Sequence, residues 1–212
     1  MNRAFLLILG VLTKKEQDLS MLSLFPPLLF IEDNSYYDTS VVGYSYNRHS
    51  FYPYIKAYEE IGILLEQVSL KDRCYDLFLP MCYLYRNCVE LSLKRLLLES
   101  SHIEHETAMR IYRKKKHSIL GLWNTLYDEI DQPQSIPKGD KLLIYVSNYI
   151  DEFHQLDPKS DLFRYPMKKD MTFYFSKKKI YNPRNISSCF QELIRFLEAL
   201  STKVRKFETP SC

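Results

Sequence analysis

The sequence predicts an all-α protein built as a single antiparallel helical bundle, and three observations carry that reading. Residues 76–99, DLFLPMCYLYRNCVELSLKRLLLE, are apolar nearly all round at 3.6 residues per turn, the pattern of a buried central helix. Other stretches repeat apolar residues at helical spacing on one side only, as helices packed around a centre do. Only five glycines occur in 212 residues, which favours helices and argues against a Gly-rich phosphate loop. With 46% hydrophobic and 26% charged residues, the chain has the balance of an ordinary globular domain. It is long enough to bury a core without covalent staples.

Residues 1–50 read as an N-terminal segment and loop ahead of a helical domain over 51–208. AFLLILGVL at 4–12 follows Arg3 and resembles the apolar part of a secretory signal. Nine residues are too few to span a bilayer, and no A-x-A pattern precedes the charged KKEQD. An upstream start or a short packed segment explains the run, with Met21 opening the domain proper, so no membrane association is expected. LSLFPPLLFI follows, and 32–50 is a loop with one short strand by its Asn, Asp and Ser content.

A first helix is expected over 51–69, with Tyr54, Tyr58, Ile61, Leu65 and Val68 on one face. Lys71 and Asp72 turn the chain into the central helix, where Pro80 falls in the first turn and its missing amide is tolerated. The polar HIEHETAMRIYRKKKH of 102–117 reads either as a solvated connector or as a short helix. SILGLWNTLYDEI is an amphipathic helix with Ile119, Leu122, Trp123 and Leu126 toward the core, and Ser118 or His117 lies at its start. DQPQSIPKGD is a loop, and Asp140 caps a helix over 140–155. Pro158 and Pro166 bracket an irregular segment. MTFYFSKKKIY alternates loosely, as a hairpin or edge strand does. These two stretches make a small irregular or hairpin insertion near 157–182. A last helix at 184–206 carries Phe190, Leu193, Ile194, Leu197 and Leu200 on its apolar stripe.

The central helix also carries charge. Arg86, Glu90 and Lys94 recur every four residues on one stripe, with Asn87 beside it. Inside a bundle these charges must pair, because an unpaired buried charge costs several kcal/mol. His117 at a helix start, and Arg164 with Tyr165 in the bracketed loop, are equally hard to assign to a plain core or surface. Two readings follow: a buried ion network with Glu90 paired to Arg86, Lys94 or Arg164, or a basic pocket with His117 as proton carrier. Net charge is only +3, yet Arg113, Lys114, Lys115 and Lys116 cluster as a candidate phosphate contact. His102 and His105 lack the i, i+4 spacing of a metal pair, and no Walker loop, G-x-S-x-G or zinc-spaced Cys pair occurs. No metal or other cofactor is expected. Five cysteines without such spacing read as reduced thiols, hence a cytoplasmic protein.

The phrases LFLPMCYLYRNCVELSLKRLL, KHSILGLWNTL and SDLFRYP resemble a group of bacterial HEPN-like proteins over residues 51–200. That resemblance implies a HEPN-like helical bundle. It also implies metal-independent endoribonuclease chemistry of the toxin–antitoxin, abortive-infection and phage-defence type. RNA is the implied substrate, a homodimer the implied state, and an antitoxin or other protein the implied partner. The usual Arg-polar-His motif is half present: Arg86–Asn87 open it, and Leu91 stands where the His is expected. On this view Arg86, Asn87, His117 and Arg164 are catalytic. His117 moves the proton, Arg86 and Arg164 stabilise the phosphorane, and Asn87 orients an oxygen or the imidazole. Glu90, Lys94 and Tyr165 support them. The competing reading is a non-catalytic HEPN-like interaction or dimerisation module with a structural ion network.

Overall fold

A computed structural model of the chain describes residues 51–100, 103–130 and 141–204. Among them the expected all-α architecture holds, with six α-helices, a 3-10 turn and no strand. The readings of residues 1–50, His102, the 131–140 loop with its Asp140 cap, and 205–208 lie outside the described residues. Helix α1 (Phe51–Asp72) leads through the 3-10 turn Tyr75–Leu77 into α2 (Phe78–Glu99). Then come α3 (His105–Lys115), α4 (Ile119–Ile130), α5 (Lys141–Leu156) and α6 (Pro183–Val204).

Helix α2 is the centre. It packs against α1, α3, α4 and α6, while α5 closes the far side against α4 and α6. Met81, Tyr85, Cys88, Val89, Leu93 and Leu97 are all buried on it, and a narrow stripe through Leu84, Asn87, Leu91 and Leu98 is half-buried. Pro80 sits in its first turn, as expected. The apolar stripes of α4 and α6 meet it as predicted: Ile119, Leu122, Trp123 and Leu126, then Leu193, Ile194, Leu197 and Leu200, are buried. Ser118 Oγ accepts the Gly121 amide at 3.1 Å and caps α4. Helix α6 begins one residue earlier than expected. Asn182 Oδ1 accepts the Arg184 and Asn185 amides, which puts Pro183 at the first helical position.

Two expectations need correction, and one reading left open is decided. In α1, Tyr54 and Ile61 are exposed, and Ile55, Gly62 and Ser69 make the buried edge. Tyr58 and Leu65 flank that edge half-buried. The face is rotated because Gly62 allows a close approach that a search for large apolar residues overlooks. The 102–117 segment is helical over eleven residues, His105–Lys115. Buried Ala108, with Ile111 and Tyr112 against the core, holds it down, and Lys116 ends it at φ 50°. The hairpin shrinks to one antiparallel bridge, Met167 with Phe173, closed by a tight turn at Lys168–Met171.

A Cβ at Gly62 would sit 2.8 Å from the Tyr85 ring, whose hydroxyl is tied to Ser187 at 2.7 Å. Gly62→Ala is therefore expected to destabilise by about 1–2 kcal/mol, the overpacking outweighing the better helix propensity of alanine. A lower midpoint in urea unfolding is the expected result; an unchanged or higher one would mean that α1 simply slides outward.

Candidate functional site

The charged stripe of α2 lies inside the bundle, where α4 begins and α5 ends. Arg86 is fully buried. Its Nη1 donates to Glu90 Oε2 at 2.7 Å, and its Nη2 to the backbone carbonyl of His117 at 2.6 Å. Its Nε faces Asp157 Oδ2 at 3.4 Å, an ion pair without hydrogen-bond geometry that leaves both atoms otherwise unpartnered. Glu90 Oε1 takes Lys94 Nζ at 2.7 Å and the His117 Nδ1 at 3.0 Å. Lys94 also lies over the Tyr112 ring, 4.7 Å from its centroid, which gives α3 a cation–π tie to the network.

Burial pushes the Glu90 carboxyl up, but hydrogen bonds and charge from Lys94 and Arg86 outweigh it and hold it below the ordinary carboxylate range. An ionised carboxylate can only accept, so His117 Nδ1 must carry the proton in this pair. The lone pair of the neutral ring is then on Nε2. The imidazole is largely in solvent, its side chain 64% exposed. Two cations, Arg86 and Lys94, balance two anions, Glu90 and Asp157, so the buried part is neutral. The result is a carboxylate-oriented imidazole at the surface, anchored from below by a buried arginine.

The other expected site residues divide. Asn87 is half-buried on α2, about 100° around the helix from Arg86. Arg164 keeps its contacts inside its own loop: Nε donates to the Ser160 carbonyl, Nη2 to Asp161 Oδ1 at 2.9 Å, and the guanidinium lies over the Tyr165 ring. The reading that would pair Arg164 with Glu90 is corrected. Phe163 docks instead, stacked on Phe153, while Arg164 and Tyr165 face outward. Arg86 is corrected too: with no exposed surface it cannot reach a phosphate. Arg113, Lys114 and Lys116 are exposed, and Lys115 is half-buried. Arg110, Arg113 and Lys114, with His105, line a shallow depression along α3.

Asp157 is the member that sequence reasoning missed. It is buried, and its Oδ1 accepts the Asp161 and Leu162 amides at 2.9 and 3.2 Å, fixing the loop that carries F-R-Y-P. An Asp just before a proline at a helix end was the available signal. Also unforeseen is a second buried pair, Arg95 with Glu99 at 3.0 Å, closed by Ser201 from α6.

Among the described residues, no three His, Cys, Asp or Glu side chains gather as a metal ligand set. No described helix is long and apolar enough to cross a membrane. Cys74, Cys82, Cys88 and Cys189 are free thiols. The chain matches no family model, no curated protein and no solved structure.

Proposed function

We propose that this chain is a HEPN-like, RNA-directed protein of the cytoplasm, a metal-independent endoribonuclease of a toxin or phage-defence system, with His117 as its proton carrier. The observation that supports it best is the exposed His117 ring, its Nδ1 held at 3.0 Å by buried Glu90 beside the basic end of α3. A neutral imidazole with a fixed tautomer is a competent base near neutral pH. In the proposed reaction Nε2 takes the proton of a ribose 2′-hydroxyl, and that oxygen bonds to the adjacent phosphorus. The bond from phosphorus to the 5′-oxygen breaks, and that oxygen leaves with a proton from water. Lys116, next to His117 in the chain, and Arg113 supply positive charge for the phosphate. Arg86 is a positioning residue here. It holds the His117 backbone and the Glu90 carboxylate and touches no substrate. RNA, a second copy of the chain and an antitoxin are the partners this reading carries.

A specific observation favours a second reading. Arg86 is fully buried, with both Nη atoms bonded inside the network, and Arg164 stays in its own loop, so the two arginines do not converge on the exposed His117 ring. A non-catalytic HEPN-like interaction or dimerisation module would need no more than this network. Cleavage of single-stranded RNA by the wild-type protein in a metal chelator separates the two readings. Chelator-resistant cleavage is expected; RNA binding with no cleavage of any RNA tried leaves the module.

The basic segment has its own test. Each phosphate neutralised releases a counterion, so RNA affinity is expected to fall steeply with salt. Neutralising Arg113, Lys114, Lys115 and Lys116 together should flatten the slope of log K against log salt by about 3 on single-stranded RNA. These side chains are exposed or half-buried, so melting should barely change. A slope unaffected by the fourfold change would remove α3 from the RNA surface.

A further inference from the structure

Away from the His117 network, α2, α5, α6 and the 157–182 insertion line a cavity of about 340 Å³ that opens to solvent beside exposed Glu152 and Ile180. Its walls are largely aromatic: Phe78, Phe153, Phe163, Phe175, Tyr181 and Phe190. Several of these rings are braced by one another, Phe78 on Tyr181 at 5.4 Å and Phe153 against Phe190 at 4.5 Å, so the walls are set before anything enters. A cavity of this size and lining is in the range that takes small molecules.

The charge of the lining says which kind. Glu152 is the one formally charged group among the lining residues, and no Lys, Arg or His is among them. Burial pushes the Cys82 thiol up to about 12, so it stays neutral. The Tyr149 phenol is also pushed up, by its hydrogen bonds to Tyr145 and Cys189, and stays protonated. An anion would meet ring faces and a carboxylate, both repulsive, with the uncharged Asn182 and Asn185 amides as its polar partners. A cation would meet the negative faces of the rings and a carboxylate, both attractive. The Lys179 ammonium, 5.9 Å from the Phe175 centroid, lies outside the lining, and as a positive charge beside that wall it favours the part of the cavity nearer Glu152 for a bound cation.

We propose that this cavity binds a small organic cation, an alkylated ammonium on an apolar body, with Glu152 and the aromatic walls as its recognition elements. It is a different site from the RNA surface and does not depend on the RNA reading. The walls come from distant parts of the chain, and the insertion supplies Phe163, Phe175 and Tyr181. The proposal thus gives the irregular 157–182 segment a function that its sequence did not suggest.

Calorimetry with benzyltrimethylammonium as probe, beside benzyl alcohol and phenylacetate, tests it on the full chain. Saturable binding of the cation is expected, about ten-fold tighter than the neutral alcohol, with no binding of the anion. Glu152→Gln should weaken the cation several-fold and leave the alcohol unchanged. Cys189→Trp, which fills the cavity from α6, should abolish binding. If that variant does not fold, Phe175→Ala, at a half-buried ring, should weaken the cation at unchanged melting temperature. Absence of saturable cation binding, equal affinity for cation and alcohol, or indifference to both Glu152→Gln and Phe175→Ala would overturn the proposal.

Discussion

Replacing His117 by alanine is expected to lower RNA cleavage by about 10²–10⁴-fold, the usual loss for a general base, while the fold stays intact. The side chain is 64% exposed and contributes one hydrogen bond, to Glu90. The anchor that matters to the fold is the His117 backbone carbonyl, which accepts from Arg86 and survives in alanine. Glu90 keeps Arg86 and Lys94 as partners. Melting temperature and RNA affinity should therefore stay near wild type, and the loss should fall on the single-turnover rate. Arg86→Ala should differ by losing stability together with activity, because it removes the anchor beneath the site. Wild-type rates in the His117 variant would dismiss His117 as proton carrier. Rate and melting temperature falling together would give the residue a structural role.

Glu90→Leu should cost about 3–5 kcal/mol, because it leaves two buried cations without their counter-charge. Arg86 is fully buried and Lys94 nearly so, and Asp157 at 3.4 Å covers only one edge of the guanidinium. For a domain of this size the melting temperature should fall by roughly 10 °C. The pH dependence follows from the depressed carboxyl of Glu90. A group with a lowered folded pKa contributes stability that is fully present above its unfolded pKa, about 4.3. That contribution is lost as pH falls through the folded value. Wild type should therefore be level in this respect between pH 7 and 5, and the stability gap between wild type and Glu90→Gln should narrow below about pH 4. Urea unfolding of both proteins across that range is the measurement. A gap that is constant down to pH 3, or a melt of Glu90→Leu within a degree or two of wild type, would show that the network carries little of the fold.

By itself the sequence determined the helical class, the central position of 76–99, the apolar stripes of α4 and α6, and the presence of a charged stripe inside the bundle. Those features rest on periodicity, which is local and survives without knowledge of any neighbour. The membership of the ion network was only half legible. Arg86, Glu90 and Lys94 share one helix, so their i, i+4 spacing could be read directly. Asp157 and Tyr112 join from elements whose placement depends on loop docking, and no local spacing encodes that. Tertiary structure decided that Phe163, not Arg164, enters the bundle, because burying a ring needs no counter-charge and burying a guanidinium does. It decided the face of α1, since Gly62 admits the Tyr85 ring where a larger residue would hold the helices apart. It also decided that Arg86 lies beneath His117 rather than beside a substrate, because the residue is sealed on every side by α2's neighbours.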